Sequence, residues 1–252
     1  NTGSISVFSG ADDSRLYFID GASSGDFMGL SVAGAGDVNG DGFDDFIAGS
    51  YGDDQNGSFS GSASIWSGLD GAVLYTFYGD SVSDNFGENV AAAGDVNADG
   101  YADVMVGAPY SDANGENSGL VRVFSGFDGS ILYTFIGDEP GERFGASLDG
   151  AGDVNDDGYA DVIVGAYLDD NNGRDSGSAR IFSGADGSIL YTFNGDSEND
   201  SFGTSVASAG DVNGDGYADV IVGAHRDDNN GTDSGSARIF SGADGSILYT
   251  FN

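Results

Sequence analysis

Asp211-Val212-Asn213-Gly214-Asp215-Gly216-Tyr217-Ala218-Asp219 decides how the rest of the chain is read. It sets oxygen-bearing side chains at loop positions 1, 3, 5 and 9. Gly216 stands at position 6, where a tight turn needs a residue tolerant of positive φ. The Tyr217 carbonyl, at position 7, is available as a further oxygen. Such a set suits a hard cation, Ca2+ above all. The same pattern starts at Asp37, Asp95 and Asp153, so the four starts are 58 residues apart. One Asp-Asn-Asp-Gly run is an ordinary turn; four in fixed register mark a repeated site. The candidate cation ligands are therefore Asp37, Asn39, Asp41, Phe43 and Asp45; Asp95, Asn97, Asp99, Tyr101 and Asp103; Asp153, Asn155, Asp157, Tyr159 and Asp161; and Asp211, Asn213, Asp215, Tyr217 and Asp219. Phe43, Tyr101, Tyr159 and Tyr217 would act through their backbone carbonyls. About four Ca2+ per chain are expected.

An EF-hand loop would need a bidentate Glu at position 12 and flanking helices. Position 12 holds Ala48, Val106, Val164 and Val222. The run after each loop is rich in β-branched residues, as in Asp219-Val220-Ile221-Val222-Gly223-Ala224, and predicts a strand. The cation loop thus joins two strands.

Each repeat reads as four strands. In the last repeat these are Ser205–Ala209, Asp219–Gly223, Ser236–Phe240 and Ser246–Phe251. Asp244-Gly245 is a strong hairpin signal between the last two. Residues 3–20 match residues 235–252 at an offset of 232, or four periods, so the chain opens on the last two strands of a partial repeat. The expected organisation is an N-terminal hairpin at 1–20 and repeats at 21–78, 79–136, 137–194 and 195–252, together one propeller-like domain. Units of this length, none able to bury its apolar face alone, stack on one another. Fold class is all-β, a β-propeller-like array of four-stranded antiparallel blades.

Phe202-Gly203 and Gly107-Ala108-Pro109, flanking the acidic loops, resemble the FG-GAP repeat of integrin α-subunit propellers and their bacterial relatives. The resemblance covers essentially the whole chain. It implies a propeller with Ca2+ in the loop between strands one and two of each blade. Phe86-Gly87 and Phe144-Gly145 keep the first pair, but repeat one has Met28-Gly29. Only repeat two keeps Gly-Ala-Pro; the others read Gly49-Ser50-Tyr51, Gly165-Ala166-Tyr167 and Gly223-Ala224-His225. Integrin propellers have seven blades, and this chain has material for four and a fraction. Three arrangements are open: part of a longer array, a compact four-bladed ring with an extra hairpin, or a subunit whose hairpin pairs with another chain.

Of 252 residues 45 are Gly and only 2 are Pro, which suits many short strands and tight turns. The net charge of −35 excludes nucleic acid and anionic membranes as partners. Four Ca2+ would add about +8, so bound calcium offsets only part of it. No apolar run is long enough for a membrane-spanning helix. There is no Cys, so neither a disulfide framework nor a thiol nucleophile is available. The single His225 occurs in one repeat and reads as a solvated loop residue. Acidic residues recur with the repeat, which argues against a catalytic pair, and the chain is expected not to be an enzyme.

A second acidic loop comes after strand two, as in Asp169-Asp170-Asn171-Asn172-Gly173 and Asp227-Asp228-Asn229-Asn230-Gly231, and reads as a solvated connection. Asn56-Gly57-Ser58, Asn199-Asp200-Ser201 and Asn230-Gly231-Thr232 fit the glycosylation sequon. The alternating Tyr75 and Phe77, Tyr133 and Phe135, Tyr191 and Phe193, and Tyr249 and Phe251 are expected to form inter-blade core. The reading is an extracellular or cell-surface protein of a saline or calcium-rich milieu. It would serve adhesion, surface structure or calcium-dependent assembly, a polymer subunit being one form of the last. Its expected partners are other protein chains, by self-association or adhesion, with carbohydrate possible. The alternatives are a calcium-dependent lectin-like module and an accessory domain of a larger enzyme.

Overall fold

The computed structural model describes residues 1–252 and contains strands and turns but no helix. A two-stranded hairpin, β1 (Ser4–Phe8) and β2 (Arg15–Asp20), comes first. Four antiparallel sheets come after it, each of four strands in sequence order. Blade one is β3 (Val32–Gly36), β4 (Asp45–Ser50), β5 (Ser62–Trp66) and β6 (Val73–Tyr78). Blade two is β7 (Asn89–Gly94), β8 (Asp103–Ala108), β9 (Leu120–Phe124) and β10 (Ile131–Ile136). Blade three is β11 (Ser147–Gly152), β12 (Asp161–Ala166), β13 (Ser178–Phe182) and β14 (Ile189–Asn194). Blade four is β15 (Phe202–Gly210), β16 (Asp219–Ala224), β17 (Ser236–Phe240) and β18 (Ile247–Phe251).

The second strand of blades two and three is buried along its whole length. Val104, Met105 and Val106 show why: successive residues point to opposite faces, and each face meets a neighbouring blade. The core is accordingly a set of layers between sheets. One apolar cluster joins blades one and two, a second blades two and three, and a third blades three and four. A small one, around Ile5, Met28, Ala48 and Trp66, joins the hairpin to blade one. No cluster joins blade four back to the hairpin. The blades form an open row, and the compact four-bladed ring is not the arrangement adopted.

The alternating aromatics do pack between blades. Phe77 stacks on Phe124, Phe135 on Phe182 and Phe193 on Phe240, with centroids 3.8, 4.0 and 4.0 Å apart. The Phe of each Phe-Gly pair meets the same ring edge-on, as Phe144 meets Phe182 at 5.9 Å. The neighbouring glycine allows this approach: Gly87 has φ +88°, and a Cβ there would lie 2.1 Å from the Ser62 carbonyl oxygen in blade one. Phe251 has no blade to stack on and is 54% exposed, against 7% for its equivalent Phe193.

Candidate metal centre

Each acidic loop joins the first and second strands of a blade, at the same end as the turn between strands three and four. Local geometry is set by the short side chains. Asp37 Oδ1 accepts from the Gly40 and Asp41 amides at 2.8 and 3.1 Å, and its Oδ2 from Gly42 N at 2.9 Å. Asn39 Oδ1 accepts from Asp41 N, and Asp41 Oδ1 from Phe43 N, both at 2.9 Å. All but the position 4 amide bond recur at Asp95, Asn97 and Asp99 and at Asp153, Asn155 and Asp157, and the full set recurs at Asp211, Asn213 and Asp215. Positions 1, 3 and 5 are thereby folded onto one turn. Glycine at position 6 has the positive φ read from sequence, +88° at Gly42 and +96° at Gly216. Position 4 is also left-handed, at Gly40, Ala98, Asp156 and Gly214, which the pattern did not reveal.

Position 9 does something different. Asp103 is fully buried; its Oδ2 accepts from Val96 N and its Oδ1 from Gly126 N, each at 2.9 Å. Asp45, Asp161 and Asp219 repeat this double bond, to Val38 and Gly68, Val154 and Gly184, and Val212 and Gly242. This carboxylate ties the acidic loop to the hairpin turn beside it. Burial pushes Asp103 and Asp161 up to about 6, against the two backbone N–H groups; Asp99 and Asp95, and Asp157 and Asp153, add repulsion.

The loops are also linked from blade to blade. The amides of Ala102, Ala160 and Ala218 donate to the carbonyls of Asp37, Asp95 and Asp153, at 3.2, 3.1 and 3.2 Å. The same end is closed by tyrosines: Tyr17, Tyr133 and Tyr191 donate to the carbonyls of Gly68, Gly184 and Gly242 in the next blade. An acidic loop is therefore part of an inter-blade junction.

By donor type, two carboxylates, an amide oxygen and a carbonyl in one turn fit a hard divalent cation. Each oxygen that accepts one N–H keeps a second lone pair for a metal. No group of three or more Asp, Glu, His or Cys side chains is gathered closely enough to hold one. At position 9 each carboxylate oxygen accepts one backbone N–H of the clamp and likewise keeps a second lone pair.

The opposite end of the blades holds a charged cluster that sequence reasoning missed. Arg180, only 4% exposed at its side chain, pairs with Asp138 at 3.0 Å and with Glu142 and Asp169 at 3.1 Å. Its guanidinium also lies 5.5 Å from the Phe144 ring centroid. Arg238 pairs with Asp196 and Asp227, and Arg122 with Asp80. Asp169 and Asp227 thus make the start of the second acidic loop a buried anchor rather than a solvated connection. The signal was available: Arg122, Arg180 and Arg238 are one period apart, and Asp80, Asp138 and Asp196 each precede them by 42 residues. Burial pushes Glu142 up to about 7, with Arg180 opposing it.

Stacked four-stranded blades with an acidic loop at one end and a buried Phe-Gly pair at the other define a propeller-type repeat protein. The FG-GAP repeat family model matches residues 28–66, 86–124, 144–182 and 202–240, and the chain belongs to that family. It is 33% identical over 221 residues to integrin alpha-V of Gallus gallus, covering 79% of this chain and 20% of that one. With integrin alpha-5 of Xenopus laevis the identity is 33% over 215 residues, with the same coverage. With integrin alpha pat-2 of Caenorhabditis briggsae it is 34% over 240 residues, covering 81% and 18%. The chain thus spans about a fifth of the length of these relatives. Among solved structures the Dos1 propeller superposes with a TM-score of 0.59 at 10% identity, over 99% of this chain and 53% of that one. This likeness is one of fold.

Proposed function

We propose that the chain is a non-catalytic, calcium-binding propeller module acting outside the cell in adhesion, surface structure or calcium-dependent assembly. The repeats at 21–78, 79–136, 137–194 and 195–252, with the hairpin at 1–20, act as one domain in this reading. The observation that carries it is the double role of the acidic loop, as an oxygen-rich turn and as the hydrogen-bonded link to the next blade. Asp, Asn and Asp at positions 1, 3 and 5, with the position 7 carbonyl and the position 9 carboxylate, would hold Ca2+. The cation would relieve carboxylate repulsion in the turn and so couple calcium binding to the stability of each junction. The integrin relatives support a role in adhesion or ligand binding at a cell surface.

The test is thermal unfolding with light scattering, in millimolar calcium and then in excess chelator. The reading expects a large loss of melting temperature on chelation. Assemblies that dissolve on chelation favour a structural polymer, and a calcium-loaded monomer favours a self-contained adhesion module. A melting temperature indifferent to chelator contradicts the calcium role.

A further inference from the structure

The repeats make most of the surface fourfold redundant, so a constellation present only once stands out. Arg143 is such a residue. Its equivalents in the other repeats are Phe27, Asn85 and Ser201, and all four positions have φ between +53° and +54°. Its guanidinium lies 4.5 Å from the Tyr110 ring centroid, and Nη1 donates to the Tyr167 hydroxyl at 2.9 Å. Tyr110 comes from blade two and Tyr167 from blade three, so two blades bracket one cation. Unlike Arg122, Arg180 and Arg238, Arg143 has no carboxylate partner. In a chain of net charge −35 an arginine held by two phenols and left without an acid is unusual.

Arg143 opens onto a cleft of about 170 Å3 shared with Glu88, Pro109, Tyr110, Ala146, Tyr167 and Thr204. Glu88 is turned to Asn85, whose side-chain amide donates to its Oε2 at 3.0 Å, and its other oxygen makes no such bond. The cleft therefore presents a fork of guanidinium donors at one point and a carboxylate acceptor at another, with Tyr110 and Tyr167 in its wall holding the guanidinium. It is smaller than the roughly 300–1,000 Å3 typical of drug-sized pockets, so it has room for one sugar ring or one amino-acid residue.

We propose that this cleft binds a small carboxylate that carries hydrogen-bond donors on the same unit. The carboxylate would pair with Arg143, the geometry for which guanidinium is suited. Hydroxyl or ammonium groups would face Glu88, while Tyr110 and Tyr167 keep the guanidinium in place. A uronic acid residue and a free amino acid share this chemistry. The site deepens the ligand-binding side of the proposed function. It uses no oxygen of the acidic loops, which lie at the other end of the blades, so its failure and that of the calcium assignment are separately visible.

The experiment is an NMR titration of the intact chain in calcium with methyl glucuronide, with alanine and with glucose. Saturable shifts around Tyr110 and Tyr167 are expected for at least one of the first two, and none for glucose. Saturation by glucuronide alone identifies a saccharide ligand, and by alanine alone an amino-acid ligand. Arg143→Asn installs the residue that repeat two carries at the same φ, so the fold is retained; it should weaken binding at least tenfold. Tyr167→Phe should weaken it by a smaller factor, because only the bond orienting the guanidinium is lost. Shifts that survive Arg143→Asn, or no saturable shift with either carboxylate, overturn the proposal.

Discussion

In blade three, Arg180 sits in a buried pocket with Glu142 and Asp169 and reaches Asp138 at its rim. In blade one the position of Arg180 is taken by Ser64 and that of Asp138 by Ala22. Ser64 bonds instead to Thr76 at 2.9 Å, and the buried Asp26 accepts from Ser23 N at 2.7 Å. The two blades nevertheless have the same strand order, the same Asp clamp and the same stacking between sheets. Apolar layers and the loop clamp are thus enough to build a blade. The arginine answers a local need, since it compensates acids that the end opposite the clamp has buried.

The largest expected effect comes from breaking that compensation. Arg180→Met leaves Glu142 and Asp169 buried without their cation, which typically costs about 3–5 kcal/mol. Ser64→Ala in blade one should change stability by about 0.5 kcal/mol or less. Urea unfolding of the two variants measures the contrast, and equal small effects would show that the cluster is a bystander. The complementary change, Ala22→Asp with Ser64→Arg, should stabilise blade one more than the two single changes add up to.

Next in size is the clamp that both blades share. Asp161→Asn turns one acceptor into a donor facing a backbone N–H, an expected loss of about 1–3 kcal/mol. Measured in chelator, the loss reports the clamp alone; if it appears only in calcium, Asp161 acts as a ligand and not as a clamp.

A smaller contrast is set by pH. Glu142 has a folded value of about 7, above its unfolded one, because burial penalises its charge. Its contribution is complete below the unfolded value and is lost as pH rises through about 7. Calcium-free protein should therefore be more stable near pH 5 than near pH 8, and Glu142→Gln should flatten that slope. An unchanged slope in Glu142→Gln would place the dependence elsewhere.

The strands, their order within each blade and the phase of the opening hairpin were legible because period-two apolar runs and a 58-residue repeat report them directly. The position 6 glycines were legible for the same reason: turn chemistry is local. The backbone clamp made by Asp45, Asp103, Asp161 and Asp219 was not. It stayed hidden because its partners, such as Gly68 and Gly126, lie 23 residues away and the loop pattern does not point to them. The Arg180 cluster was hidden similarly, since charge counting treats every arginine as solvated. The left-handed Ala98 was invisible because glycine marks that position only in repeats one and four. Its substitution carries a modest effect of opposite sign: Ala98→Gly should stabilise the second loop by about 1 kcal/mol, and an unchanged or lower melting temperature would count against strain there.

The claim that matters most is that four equivalent loops bind calcium. Equilibrium dialysis of the intact chain against radioactive calcium, beside the Asp215→Ala variant, tests it most directly. The account predicts about four ions per chain and one fewer in the variant. An intact chain that retains no calcium, or a variant that retains as many ions as the parent, would contradict it.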